Sequence, residues 1–325
     1  MSHSDREAVI ENFLAQSRWV GWARRPIVAD ASARSYTRLE KEGASVILMD
    51  APPNQVDNTE QFIAVAKYLS ECGLNPPRIL AQELADGILV LSDLGQLDFA
   101  EWLRSKPDDA AELYKAAIDI LIRLESCRPP TDLTRLTPEL GADMIAVTGE
   151  CYAQGPIRDL QNELLQALRQ FAYDADTFAL RDFHAENLIW RPDQTGTARV
   201  GLLDFQDAIV APCGYDLVSL LRDARRDTDP DFVQDMLQYY FDKTGKDQGF
   251  RTQLACLGIQ RNLRILGIFA RLATVMNKPR YIDLIPRVWY NIQQDLDHAA
   301  LANLRDAIND TLPFPDHDFL ESLRQ

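Results

Sequence analysis

Residues 180–207 read LRDFHAENLIWRPDQTGTARVGLLDFQD, and the order of polar and apolar letters within them decides the architecture. Asp182 and Asn187 stand five positions apart in a short polar stretch. Leu188-Ile189-Trp190 then reads as a strand, because bulky and β-branched side chains suit a buried pleated surface. Pro192, Asp193, Thr195 and Gly196 supply turn chemistry. Val200-Gly201-Leu202-Leu203 returns as a second strand and delivers Asp204 at its end. The stretch is a β-hairpin with a carboxylate and an amide before it and a second carboxylate after it.

Phosphoryl transfer accounts for these residue types. It asks little covalent work of a protein, so positioning and charge neutralisation dominate. In that chemistry Asp182 accepts a hydrogen bond from an attacking hydroxyl and takes its proton. Asn187 offers a neutral amide oxygen, and Asp204 a full negative charge, to Mg2+ bridging the phosphates of ATP. Magnesium is a hard cation content with few protein oxygens, so one carboxylate and one amide suffice. The D-x-x-x-x-N spacing alone arises often in an acid-rich chain. Its continuation into two short strands and an apolar-apolar-Asp-Phe ending is far more specific. The plain alternative makes Asp182 and Asn187 turn-formers and Asp204 a strand-end cap.

On these residues the chain resembles the aminoglycoside phosphotransferase and choline kinase group of small-molecule kinases. LRDFHAENLIW, GLLDFQDAIVAPCGYDLVSLLRDARRD, ILMDAPP, LVLSDLG and QRNLRILGIFARLA are similar, within it, to the bacterial anomeric kinases of N-acetylmuramate and N-acetylglucosamine. The resemblance runs from about Ala29 to the C-terminal helices. It implies an α+β, protein-kinase-like two-lobed fold, with a small β-rich N-lobe and a larger, mostly helical C-lobe carrying the catalytic hairpin. Residues 1–94 are then the nucleotide-binding lobe and 95–325 the catalytic and acceptor-binding lobe. It further implies that Ser92, Asp93 and Leu94 form the hinge, whose backbone meets the adenine edge.

The pattern along the chain agrees with that outline. Glu7–Arg18 reads as an amphipathic helix, and SYTRLE and ASVILMD read as two strands around Lys41-Glu42-Gly43. Phe62, Ile63, Val65, Ala66 and Leu69 fall at helical spacing within Asn58–Cys72, and Gly73 stops that helix. Arg78–Gln82 and Gly87–Leu91 read as further strands, and the resemblance leaves room for one more near residue 28. Helical patterns then occupy Asp108–Cys127, Ile157–Tyr173, Phe232–Asp242, Arg251–Val275 and Ile282–Ala300. Apart from the hairpin, the second part of the chain reads as mostly helical.

The chain also departs from the wider kinase pattern. Val46-Ile47-Leu48-Met49 has no lysine where a third-strand lysine usually holds phosphates, and the first lobe offers only Lys41 and Lys67. Arg34 or Arg38 is the expected substitute. Asp30-Ala31-Ser32-Ala33-Arg34-Ser35 stands where a glycine-rich loop is usual, with Ser32 and Ser35 as hydroxyl donors to the nucleotide. Leu180 replaces the histidine of many relatives. His184 either braces the loop or touches the transferred group, and bracing is the simpler role. Asp207 lines the acceptor site or holds a water, while Asp216, opening an apolar helix, fixes the catalytic loop.

Composition sets outer bounds. A net charge of −15 over 325 residues argues against a nucleic-acid partner. No run of about eighteen apolar residues reads as a membrane span, and MSHSDREAVIENF lacks the character of a secretory signal. Five dispersed cysteines suit reduced thiols, so a cytoplasmic setting is expected. Arginines outnumber lysines 27 to seven, which favours planar recognition of carboxylate or phosphate. Arg222, Arg225, Arg226, Arg261, Arg264 and Arg271 are candidates to clamp the lactyl carboxylate of N-acetylmuramate, with Arg222 and Arg264 foremost. Surface ion pairing is the alternative for most of them. The expected activity is ATP- and magnesium-dependent phosphorylation of an amino sugar at its anomeric hydroxyl. The alternatives are a kinase for an aminoglycoside, choline or another amino alcohol, and a non-catalytic nucleotide-binding regulator. Nothing in the sequence fixes an oligomeric state.

Overall fold

The computed structural model describes residues 3–27, 34–56, 58–247 and 249–324. Its first elements are α1 (His3–Ala15), β1 (Ala23–Ile27), β2 (Ser35–Lys41), β3 (Ala44–Asp50), α2 (Thr59–Glu71), β4 (Ile79–Glu83), β5 (Ile88–Ser92) and α3 (Phe99–Ser105). Next come α4 (Ala110–Glu125), α5 (Pro138–Asp143), α6 (Ala146–Thr148), α7 (Arg158–Phe171), β6 (Ala175–Ala179), β7 (Leu188–Trp190), β8 (Val200–Leu202) and β9 (Ile209–Pro212). The last are α8 (Tyr215–Leu221), α9 (Pro230–Thr244), α10 (Gly249–Thr274), α11 (Ile285–Leu296), α12 (Ala302–Thr311) and α13 (His317–Ser322). Two compact units interleave in sequence: Met1–Ser105 with Glu186–Asp207, and Lys106–Ala185 with Ala208–Gln325. The sheet unit thus keeps α3 and the β7–β8 hairpin.

The sheet unit is built on antiparallel strands in the order β1-β2-β3-β5-β4. Glu42 and Gly43 join β2 to β3 with φ of 51° and 80°. Two positive-φ residues twist a two-residue turn to match the strands it joins, which sets the register Lys41↔Ala44. Leu39, Val46, Leu48, Ile88 and Val90 alternate onto one face and pack with Leu14 of α1 and Trp19. α1 ends at Ala15 rather than near Arg18, because Ser17 donates to the Leu14 carbonyl and accepts from the Trp19 amide. β1 answers the strand left open near residue 28. Its ARRPI sequence is exposed throughout and carries no alternation to read, and Pro26 is tolerated because the strand lies at an edge. α2 buries Phe62, Val65, Ala66 and Leu69, and Phe62 stacks on Phe205 with centroids 4.8 Å apart.

The helical unit is centred on α10, a 26-residue helix with Leu257, Ile259, Leu263 and Leu266 fully buried. Such burial is worth roughly 1.5–3 kcal/mol per large apolar side chain. The unit is mostly helical, as expected, and also holds one short ladder that the sequence did not announce. β6 and β9 pair antiparallel from Thr177↔Ala211 to Ala179↔Ile209. They escape a sequence reading because ADTFA and IVAP are too short for a period to emerge and IVAP is buried on both faces. This ladder brings Leu180 and Arg181, which follow β6, beside α8, which follows β9.

Candidate active site

In the sheet unit, the hairpin positions two of the expected polar groups. β7 and β8 pair Leu188↔Leu202, Ile189↔Gly201 and Trp190↔Val200. The Leu203 amide donates to the Asn187 carbonyl at 3.0 Å, so Asn187 faces the end of β8 and its Nδ2 lies 3.5 Å from Asp204 Oδ2. A half turn about χ2 exchanges the amide nitrogen and oxygen and sets Oδ1 at the same point. Asp204 has φ of 54°, a costly left-handed conformation that aspartate tolerates better than most residues. Trp190 anchors the hairpin edge-on to Phe99 at 5.6 Å, with the Arg199 guanidinium over its face.

A hydrogen-bonded chain extends from this pair. Gln206 Nε2 donates to Asp204 Oδ1 at 2.8 Å and lies 3.5 Å from Asp207 Oδ2. Asn58 Nδ2 donates to Asp207 Oδ1 at 3.3 Å, and Arg34 donates to Asn58 Oδ1. Burial raises the Tyr36 hydroxyl pKa, Arg34 lowers it and Asp204 raises it, so that phenol feels both charges. Asn187 and Asp204 therefore present oxygens that suit a hard divalent cation retaining most of its waters. Among the described residues no group of three or more His, Cys, Asp or Glu could cage a metal, as a structural zinc would require.

The other expected nucleotide-side residues lie on the same sheet. Arg38 donates to Asp93 at 2.6 Å and to the Gly95 carbonyl at 3.1 Å. Burial works to raise the Asp93 carboxyl, but the Arg38 and Gly95 hydrogen bonds outweigh it and hold the group below its ordinary range. Ser92 Oγ accepts from the Arg78 amide, and Leu94 packs at Gly201, where a Cβ would stand 2.9 Å from Leu94 Cδ1. Ser35 Oγ lies 3.4 Å from Asp50 Oδ2. Asp50 ends the strand expected to carry a lysine, and it is paired in the core with Arg6. Ser32 falls outside the described residues.

In the helical unit, Asp182 sits in a different setting. Its side chain is 44% exposed, open to a proton donor, and Oδ1 lies 3.8 Å from the Arg261 guanidinium. Asp216 fixes the preceding backbone, accepting from the Leu180 and Arg181 amides at 2.6 and 3.0 Å. Burial pushes its carboxyl up to about 7 against the pull of those amides. His184 is buried and its pKa is held down to about 4 by that burial, so the ring is neutral at neutral pH. Asp223, Arg225, Asp182 and Arg261 supply the charges around it.

The candidate arginines do not form one cluster. Arg261 and Arg264 stand near Asp182, while Arg222 is tied to Asp295 at 3.1 Å and Gln294 at 2.7 Å on α11. Burial pushes Asp295 up to about 6, and its Oδ2 is so close to Gly258 that a Cβ there would stand 2.0 Å away. Arg225 faces His184, Arg226 faces Tyr114, and Arg271 is exposed near Cys151. Asn58, Gln206, the Arg6–Asp50 pair, Arg181 and Tyr215 were given no role at the site by the sequence reading. Gln206 and Arg181 flank the motif acids and carried a signal in their position, whereas Asn58 reaches Asp207 across 149 residues.

The profile of the phosphotransferase enzyme family matches residues 23–250. An N-acetylmuramate/N-acetylglucosamine kinase of Caulobacter vibrioides is 33% identical over 93% of this chain and 95% of its own length. A protein of the same name from Pseudomonas aeruginosa is 31% identical over 81% of this chain and 80% of its own. Among solved structures, a choline kinase of Streptococcus pneumoniae superposes with a TM-score of 0.62 at 11% identity, covering 90% of this chain and all of that one. An ADP-bound aminoglycoside phosphotransferase superposes with a TM-score of 0.60 at 12% identity, covering 89% and 98%. The expected α+β, kinase-like fold is the one these structures share.

Proposed function

The chain belongs to the phosphotransferase enzyme family, and from that premise we propose that it is a cytoplasmic, ATP-dependent amino-sugar kinase. Its acceptors in this reading are N-acetylmuramate and N-acetylglucosamine, phosphorylated at the anomeric hydroxyl to the 1-phosphate, a step of cell-wall sugar recycling. The observation that carries it is the 33% identity to a kinase of that name over nearly the full length of both chains. Residues 1–94 serve the nucleotide and residues 95–325 the acceptor.

Each residue then has a defined task. Asp182 orients the anomeric hydroxyl and takes its proton. That hydroxyl is more acidic than an ordinary alcohol, so an exposed carboxylate is a sufficient base. Asn187 and Asp204 hold a magnesium ion, which when bound neutralises charge on the nucleotide phosphates. Gln206 and Asp207 keep the Asp204 carboxylate aimed. Arg34 is the better phosphate contact, because Arg38 is engaged by Asp93 and Gly95. His184 braces the loop from its buried position.

The arginines beside Asp182 also bear on the acceptor. Choline and aminoglycosides are cations, and guanidinium groups around the base suit them poorly. Incubating the protein with ATP, magnesium and a panel of amino sugars, then locating the phosphate by phosphorus NMR, tests the reading. A phosphate on the anomeric carbon is the expected product. A magnesium-dependent thermal shift with ATP but no turnover on any acceptor points to a regulator instead.

A further inference from the structure

Three arginines, Arg181, Arg261 and Arg264, stand around Asp182 in the helical unit. Arg261 is committed, lying 3.8 Å from Asp182 Oδ1 and 3.4 Å from the Arg181 carbonyl. Arg264 follows three residues later on the same face of α10 and makes no ion pair among the described residues. Arg181 Nε is buried without a hydrogen-bond partner among the described residues, and so is the hydroxyl of Tyr215, a residue only 1% exposed. Arg261, Arg264, Arg181 and Asp182 all act on that hydroxyl, so the five groups share one neighbourhood. Asp216 is engaged by the backbone, each of its oxygens accepting an amide, and it makes no ion pair with these arginines among the described residues. Two half-buried guanidinium groups without an acid of their own are unfavourable until an anion joins them.

We propose that Arg181 and Arg264, with the Tyr215 hydroxyl, form a subsite for the carboxylate of the acceptor. The enzyme thereby reads a carboxylated amino sugar in preference to its neutral counterpart. The inference rests on the functional reading above, whose two acceptors differ in this group: N-acetylmuramate bears a lactyl carboxylate where N-acetylglucosamine has a hydroxyl. A guanidinium fork matches a carboxylate in plane and spacing, and a phenol adds a neutral donor. Arg181 also holds φ of 74°, a conformation glycine would adopt without strain, so only the side chain repays an arginine there.

Arg181→Gly keeps the backbone bonds to Asp216 and Arg261 and removes the guanidinium alone. Arg264→Met keeps the apolar stem of its side chain. For each variant, kcat/KM is measured on both sugars with one preparation, so any misfolded fraction cancels in the ratio. The N-acetylmuramate to N-acetylglucosamine ratio is expected to fall about 10–100-fold, the worth of a charged hydrogen bond, mostly through KM for the carboxylated sugar. Arg264→Lys should recover part of it. An unmoved ratio overturns the inference, including the case where both sugars suffer equally because the arginines hold the transferred phosphate. Turnover of neither sugar by the unaltered chain sinks the functional reading and this inference together.

Discussion

The sheet unit and the helical unit surround their motif residues with opposite chemistry. In the first, Asn187, Asp204 and Asp207 are linked through amide side chains, and the cation in the chain, Arg34, stands at its far end beyond Asn58. In the second, Asp182 is set among Arg181, Arg261 and Arg264. Amides can orient a carboxylate without neutralising it, which leaves its charge for a metal. Arginines do the reverse and leave a surplus for an anion. The division between the units falls between Ala185 and Glu186, so one short loop supplies both environments.

The contrast is sharpest if the two acids fail differently. Asp182→Asn should lower kcat by about 10²–10⁴-fold, the usual worth of a general base, with little change in nucleotide affinity by titration. Asp204→Ala should instead weaken magnesium-dependent nucleotide binding by at least about tenfold, as loss of a metal ligand does. If both variants lost nucleotide binding alike, the separation of tasks would collapse. Asp216→Asn should act on stability as well as turnover. An amide can accept from only one of the two backbone donors, so unfolding should become easier by about 1–3 kcal/mol in denaturant titrations.

The smallest effect concerns acid. His184 binds its proton near pH 6.5 when unfolded but only near 4 when folded. The unfolded chain therefore takes up that proton first, and the contribution of His184 to stability falls as pH drops from about 6.5 towards 4, opposite in sign to that of the buried Asp216 and Asp295 carboxyls. Above that range the group contributes no slope. His184→Gln should flatten this limb of the stability profile, and an unchanged limb would show that the ring is not sealed from solvent.

Local signals were the legible ones. The hairpin, the loop residues Asp182 and Asn187, the Glu42-Gly43 turn and the helices α2, α4 and α10 all announce themselves within a short window. β1 did not, since a wholly exposed edge strand has no apolar period, and β6 and β9 did not because each is too short. The same limit governed the site. Asp50 paired with Arg6, and Asn58 bonded to Asp207, are contacts between distant segments that no spacing rule encodes. Of the six arginines, Arg222 and Arg264 stood foremost and looked alike as letters. Only packing separates Arg222, paired with Asp295, from Arg264, which makes no ion pair among the described residues.

The stack of Phe62 on Phe205 has a mechanical meaning. Phe205 is the immediate neighbour of Asp204 and has no exposed surface, so the backbone that carries the Asp204 carboxylate is held in place against α2. A helix more than a hundred positions upstream is thus the lever arm for one oxygen. Whatever tilts that helix moves the Asp204 carboxylate with it.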